Sequence, residues 1–260
     1  MLLRVSAVLC AMTTPALAQG NFTAHPNGVQ FLQAMVANDV QTYVRGGKSL
    51  LQYPTLPRIT ISASAPQLWQ DYNANELSAE NKYAGKGIEI SGIVYTVARD
   101  PLGVPYVEYA SAIAMMGNVR ARLADDTVGE ASTYKPGQNL VLDCTNVEKG
   151  FLSPELTRCR SSSALQTAEL QTADDTVSKF MRGETLQNET PKLRKSLFVT
   201  YWIGSTLPPG CALNPGDEDC LSKFKATGSQ LKNNRQFEAA YTAAADALHL
   251  PAWKSAHDAK

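Results

Sequence analysis

Residues 71–94, DYNANELSAENKYAGKGIEISGIV, contain the change of hydrophobic period that decides the fold of this chain. Before Gly85 the side chains of one stripe recur at helical spacing, and after it the apolar side chains alternate as in a strand. The predicted helix begins near Pro66, and its buried-looking stripe consists of Leu68, Tyr72, Asn75, Ala79 and Tyr83. The strand that follows carries Ile88, Ile90, Ile93, Tyr95 and Val97. Gly92 stands where a β-bulge would shift the alternation of this strand.

Four more strands are predicted downstream, at residues 104–109, 119–123, 140–144 and 151–159. A short helical link at 128–134 separates the third strand from the fourth. Five strands, the first of them bulged, with a helical element between the third and the fourth follow the order of an OB-fold. The sequence therefore predicts an α+β protein with a five-stranded OB-fold β-barrel at residues 65–160.

The same region resembles the tRNA-anti-like OB-fold family over residues 67–160. The resemblance rests on the following matches: Asn75-Glu76, Lys82-Tyr83-Ala84-Gly85-Lys86, Ile90-Ser91-Gly92-Ile93-Val94, Gly137-Gln138, Cys144 and Cys159. What it implies is an OB-fold, which in this family often belongs to exported bacterial proteins. The family name refers to similarity of fold, so the resemblance does not imply that the chain binds tRNA.

The flanking segments predict an exported protein with helical additions. Residues 1–18 have one Arg, an apolar stretch and a small-residue end, which is the pattern of a signal peptide cleaved before Gln19. Cys10 raises lipidation as an alternative, although Leu9 is a poor match for the residue that such a site needs. Residues 19–64 predict an N-terminal helical extension, in which 60–64 is a candidate short strand. Residues 161–260 predict a C-terminal helical region. We expect a periplasmic or secreted protein.

Four cysteines remain after removal of the signal peptide: Cys144, Cys159, Cys211 and Cys220. An even number of cysteines in an exported chain is typical of disulfides. Three pairings are possible, and the local one, Cys144–Cys159 with Cys211–Cys220, fits the sequence best.

The composition argues against several classes of function. Loss of Arg4 with the signal peptide leaves 23 basic and 24 acidic residues, so the chain lacks the basic excess of a sequence-independent nucleic-acid binder. Glycine-rich phosphate loops and the HExxH, GxSxG and CxxC motifs are absent from the sequence. We therefore expect no catalytic residues, no metal and no cofactor.

The best candidate surface for ligand binding is the outer face of the second and third strands. Tyr106 and Glu108 share one side of the second strand, and Arg120 and Arg122 share one side of the third. OB-folds bind ligands on this face, often through aromatic and basic side chains. The alternative is a solvated face with a cross-strand ion pair between Arg and Glu.

Two hypotheses of function follow. The first is a non-enzymatic binding protein of the cell envelope that acts through protein contacts, as an adaptor, an inhibitor or an immunity-like protein. Its partner would be an envelope or secreted protein, nucleic acid would not be the ligand, and no integral membrane segment would remain after signal cleavage. The second is binding of a small ligand or a single-stranded oligonucleotide to the face formed by Tyr106, Glu108, Arg120 and Arg122.

Overall fold

The computed structural model describes residues 22–110, 118–150, 153–213 and 216–253. The predicted signal peptide and Cys10 lie outside these residues. The elements in chain order are α1 (Pro26–Val44), β1 (Ile59–Ser64), α2 (Ala65–Ala74), α3 (Glu76–Tyr83), β2 (Gly87–Arg99), β3 (Pro105–Tyr109), β4 (Val119–Leu123), α4 (Val128–Ala131), β5 (Asn139–Cys144), β6 (Asn146–Lys149), β7 (Pro154–Cys159), α5 (Ser162–Met181), α6 (Pro191–Thr206), α7 (Pro209–Leu213), α8 (Glu218–Gln230) and α9 (Arg235–Ala245).

The helix predicted from Pro66 to Tyr83 is in fact two helices that meet at Asn75. Asn75 has an extended backbone, with φ −160° and ψ 99°, and its side-chain oxygen accepts a hydrogen bond of 3.1 Å from the Ser78 amide. Asparagine is a favoured N-cap residue because its short side chain replaces a missing intrahelical acceptor. Asn75 is therefore an exposed cap and does not lie on the buried stripe, as the helical spacing had predicted.

The predicted mixture of helices and strands is confirmed, but the five-stranded barrel is not, because the curled sheet has seven strands. The two strands beyond the predicted five are β1, which matches the candidate strand at 60–64, and β6, which was not predicted. The strand order is β1-β2-β3-β4-β7-β6, and β5 pairs with β2. β1 adds a parallel strand beside β2. Residues 139–149 form two strands, β5 and β6, because the chain leaves the ladder of β2 after Cys144 and pairs with β7 from Asn146 onward.

The sheet curls because β2 has different partners at its two ends. Residues 88–93 of β2 pair with β5, whereas residues 94–99 pair with β3. The register shifts between Val94 and Thr96, three residues beyond the bulge predicted at Gly92. Gly92 instead permits close packing, since a Cβ atom there would lie 2.9 Å from the ring of Tyr109.

The chain has two apolar cores, and β1 contributes to both, through Ile59 to one and through Ile61 and Ala63 to the other. The sheet, α2, α3 and α4 enclose one of them, which includes Ile88, Ile90 and Tyr109. The other is formed jointly by α1 and the C-terminal helices. α1 and α6 cross closely, because a Cβ at Gly204 would meet Phe31 at 2.5 Å. The predicted N-terminal extension and the predicted C-terminal region therefore share a single core.

Both disulfides have the local pairing that the sequence favours. Cys144–Cys159 connects β5 to β7, and Cys211–Cys220 connects α7 to α8. Chain-entropy reasoning assigns about 3 kcal/mol to the closure of a loop the size of the first one. Among the residues that the structure describes, no helix has both the length and the apolar character needed to cross a bilayer.

Candidate functional site

The four predicted binding residues lie together on the outer side of β3 and β4, and we call them the arginine face. Tyr106 is directly opposite Arg122, and Glu108 is directly opposite Arg120. The intervening residues of both strands, such as Val107, are fully buried in the core of the sheet. Because strand side chains alternate between faces, the four polar side chains point away from that core.

Arg120 is held by contacts within the arginine face. Its guanidinium donates a hydrogen bond of 2.9 Å to the Glu108 carboxylate and lies 4.3 Å from the ring centre of Tyr106. The hydrogen bond to Glu108 raises the pKa of Arg120 further above its ordinary value. The charge and the donors of Arg120 are thus already engaged by neighbouring side chains.

Arg122 is neutralised by two acids outside the predicted set. Its Nε lies 2.5 Å from a carboxylate oxygen of Glu155 on β7, and its Nη2 lies 3.4 Å from the carboxylate of Asp100. Asp100 also accepts hydrogen bonds from the Leu102 and Val104 amides, so it fixes the turn before β3. Two arginines therefore face three carboxylates, and the arginine face carries no excess positive charge.

A cavity of about 500 Å³ adjoins the arginine face beside Arg122. Arg158 and Arg160 line it with Asp125 and Asp126. Arg160 pairs with Asp126 at 2.9 Å. Arg158 is exposed, adopts a left-handed φ of 53°, and forms no salt bridge with the described residues. A non-glycine residue rarely adopts this backbone conformation.

Apolar side chains that were not predicted to form a site are exposed on another part of the sheet. Ile93 and Tyr95 on β2 are 47% and 59% exposed, and Val141 on β5 is 38% exposed. Val141 pairs with Ser91, two residues before Ile93, so Val141 and Ile93 are diagonal neighbours on one face. We call Ile93, Tyr95 and Val141 the apolar strip.

The position of the apolar strip follows from the location of the register shift. Ile88, Ile90 and Val94 are buried, so the alternation continues unshifted through Gly92. A bulge at Gly92 would have turned Ile93 and Tyr95 inward. The local sequence does not distinguish a bulge at Gly92 from a register shift further along β2, because a glycine at position 92 is compatible with both.

Within the described ranges, no three His, Cys, Asp or Glu side chains are grouped closely enough to hold a metal ion. Asp217, Glu218 and Asp219 lie at the start of α8. The carboxylate of Asp217 caps this helix, accepting hydrogen bonds from the Asp219 and Cys220 amides. Asp219 pairs with Lys223.

Of three comparisons with known proteins, the one with protein families agrees with the resemblance seen in the sequence. A solved structure from Klebsiella pneumoniae, described as a "putative nucleic acid-binding lipoprotein", aligns with 38% of this chain and 91% of its own, at 15% identity and a TM-score of 0.32. A similarity this weak carries no argument about function. No curated protein matches the chain significantly. The sequence model of the tRNA_anti-like family matches residues 3–152, which is more than half of the 260 residues. The chain therefore belongs to the tRNA_anti-like family.

Proposed function

We propose that the protein is an exported, non-enzymatic binding protein that acts in the cell envelope through protein contacts, as an adaptor, an inhibitor or an immunity-like protein. Export is supported by the pattern of residues 1–18 and by the two disulfides, which are typical of oxidising compartments. The observation that carries the proposal is the apolar strip. The proposed partner is an envelope or secreted protein that covers these side chains.

In this proposal the curled sheet is an OB-fold barrel with one added strand. β2, β3, β4 and β7 take the first, second, third and fifth strand positions, and β5 with β6 form an interrupted fourth strand. This assignment is supported by two pairings: β4 lies parallel to β7, and residues 139–149 connect β2 with β7. β1 is then an addition supplied by the N-terminal extension, and residues 65–160 form the barrel domain.

The apolar strip favours a protein partner over an ionic ligand. Single exposed apolar residues are common on protein surfaces, but a contiguous group on one sheet face is typical of an interaction site. The arginine face offers less to an anion, because Glu108, Asp100 and Glu155 already engage its two guanidinium groups. A ligand phosphate would have to displace these carboxylates before it gained a charge-assisted contact.

Replacing Ile93 and Tyr95 together with serine should remove the partner. We expect affinity capture with the oxidised mature protein from its own envelope fraction to recover one stoichiometric protein. The double variant should recover it at least tenfold less, because the contact loses both apolar side chains. Quantitative mass spectrometry of the captured material measures this ratio.

The matched control is the double variant Leu77→Ser and Leu102→Ser, which alters two leucines that are 72% and 85% exposed outside the apolar strip. This variant should recover the partner as the wild type does. Circular dichroism should show that both variants are folded. Equal recovery by the two double variants, or the absence of any stoichiometric protein in the wild-type capture, would refute the proposal.

Ligand binding at the arginine face is the second candidate, and Arg158 favours it. This exposed side chain adjoins Arg122 in the 500 Å³ cavity and has no acidic partner among the described residues. Binding of a single strand through two arginines gives a slope of about −1.4 for log K against log salt concentration. That slope would disappear when Arg120 and Arg122 are both replaced with alanine.

We expect this titration to show no ligand binding at the arginine face. Short single strands and pyrophosphate should show no saturable binding to the wild type at low salt, since the carboxylates neutralise the arginine face. Fluorescence anisotropy with a labelled oligonucleotide measures the affinity, and replacement of Lys223 and Lys225 on α8 with alanine controls for general charge. Saturable binding that depends on Arg120 and Arg122 but not on these lysines would establish the second candidate.

A further inference from the structure

A cavity of about 520 Å³ lies where the helical core meets the sheet. Three carboxylates line it: Glu89 on β2, Asp143 on β5 and Glu169 on α5. Arg45, which follows α1, is the basic residue of the lining. We call this space the acidic cavity. Its lining also includes apolar side chains, namely Val44, Ile59 and Leu165. With every group ionised, the lining carries a net charge of about −2.

Asp143 is the most unusual group of the acidic cavity. It is only 8% exposed, yet within the described residues its carboxylate has no basic partner and accepts no hydrogen bond. Buried carboxylates are normally paired or hydrogen-bonded, because removal of a charge from water is costly. An unpaired buried carboxylate that faces a cavity is what a site for a cation requires.

The neighbours of Asp143 increase the cost of its charge. Glu89 is directly opposite Asp143 in the antiparallel pair of β2 and β5, and like charges in this position are destabilising. Arg160 is opposite Asp143 across an isolated bridge, but its guanidinium pairs with Asp126. The backbone of Arg160 thus lies beside Asp143, but its guanidinium does not neutralise the Asp143 carboxylate.

The titration of these carboxyls agrees with the geometry. Burial, together with smaller effects of the charges of Glu89 and Glu169, raises the pKa of Asp143 from 3.8 to about 6. Burial also raises the pKa of Glu169, against the opposing effect of Arg45. The surroundings of Asp143 and Glu169 therefore disfavour the charged forms of these two carboxyls, and a bound cation would stabilise them.

We propose that the acidic cavity binds an aliphatic diamine through Glu89, Asp143 and Glu169. Two ammonium groups balance the net charge of about −2, and the methylene chain between them contacts the apolar side chains. The volume lies within the range of about 300–1,000 Å³ that is usual for small-molecule sites. A divalent metal ion fits less well, since the three carboxylates are not grouped as metal ligands within the described part of the chain.

Isothermal titration of the full mature protein at pH 7.5 and low salt tests the proposal. The probes are 1,4-diaminobutane and 1,5-diaminopentane, with 1,4-butanediol and butylamine as the neutral and singly charged comparisons. We expect saturable binding of one diamine per chain, at least tenfold weaker binding of butylamine and none of the diol. Asp143→Asn and Glu89→Gln should each weaken diamine binding at least tenfold.

Asp174→Asn is the matched control, because it removes an exposed carboxylate from the same helix as Glu169 but outside the cavity. This variant should bind the diamine as the wild type does. Glu169→Gln gives an independent test if one of the strand variants fails to fold. The proposal is overturned if neither diamine binds, if the diol binds equally well, or if Asp143→Asn and Asp174→Asn behave alike.

Discussion

Replacing Arg194 with alanine should lower the free energy of unfolding by about 3–5 kcal/mol, the range measured when one partner of a buried ion pair is removed. Arg194 lies on α6 and is 4% exposed. Its guanidinium pairs with Glu189 and donates hydrogen bonds to the carbonyls of Gly183, Glu184 and Leu248. It therefore joins the α5–α6 connection to the residues after α9.

The loss is large because alanine leaves several buried polar groups without a partner. Burial alone raises the pKa of Glu189, and the hydrogen bonds from Arg194 and the Leu186 amide outweigh it, so the folded pKa is lowered. Such a group stabilises the fold above its unfolded pKa and loses that contribution as pH falls. Without Arg194 the carboxyl is easier to protonate, so the penalty of the substitution should shrink in acid.

Urea unfolding followed by circular dichroism measures this change at pH 7 and pH 4. Arg182→Ala is the control, because Arg182 is an exposed arginine that also pairs with a glutamate, Glu184. The control should leave the unfolding midpoint nearly unchanged. Arg194→Lys should fall between the two, since lysine keeps the charge but lacks the planar fork. A loss no greater for Arg194→Ala than for Arg182→Ala would show that the buried network does not stabilise the fold.

The features predicted well from sequence are those that depend on local patterns. The predicted helical extension at residues 19–64 contains α1, and the predicted helical region at residues 161–260 contains α5 to α9. The strands at 104–109 and 119–123 differ from β3 and β4 by at most one residue. The alternation of Tyr106, Glu108, Arg120 and Arg122 also placed these four side chains on one face.

The features that were missed depend on which segments pair across the fold. Residues 139–149 form two strands because their first part pairs with β2 and their second part pairs with β7. The alternation of apolar and polar residues does not show where one partner strand replaces the other. The same holds for the pairing of β1 with β2. Likewise, the sequence around Asp100 predicts only a turn. Its ion pair with Arg122 depends on the pairing of β3 with β4, which brings the two residues together.

The acidic cavity illustrates the same limit. Glu89 and Asp143 are 54 positions apart, and only the register of β2 with β5 places them opposite each other. In the sequence each is a polar residue that alternates with apolar neighbours, which predicts a solvated side chain. Asp143 becomes buried because α5 packs near this end of the sheet, a contact between the two cores that no local pattern specifies.

Replacing Asp143 with asparagine should raise the thermal unfolding midpoint at pH 7.5 by roughly 5–10 °C, whereas most buried polar substitutions lower it. A carboxyl whose pKa rises from 3.8 to about 6 on folding destabilises the native state by about 3 kcal/mol once it is ionised. Between these two pKa values the folded state binds more protons than the unfolded state. Stability therefore falls as pH rises from about 4 to about 6, and the full penalty persists above that range.

The pH profile identifies the cause, because asparagine carries no charge at any pH. The wild type and Asp143→Asn should have similar midpoints near pH 4 and should diverge up to about pH 6.5. The charged groups that line the acidic cavity with Asp143 are Glu89, Glu169 and Arg45, and of these Glu89 and Glu169 raise the pKa of Asp143. Glu89→Gln should therefore raise the wild-type midpoint by a smaller amount, and Asp174→Asn should not change it. Parallel profiles for the wild type and Asp143→Asn would mean that Asp143 has no raised pKa.

The same measurement links stability to the proposed ligand. A ligand at 100 times its dissociation constant stabilises the folded state by about 2.7 kcal/mol, which is close to the penalty assigned to ionised Asp143. Saturating diamine should thus raise the wild-type midpoint at pH 7.5 nearly to that of Asp143→Asn, and it should hardly affect the variant. An unpaired carboxylate that destabilises the folded protein is expected in a binding site where function requires the charge. If diamine instead shifts both proteins equally, Asp143 destabilises the fold without taking part in binding.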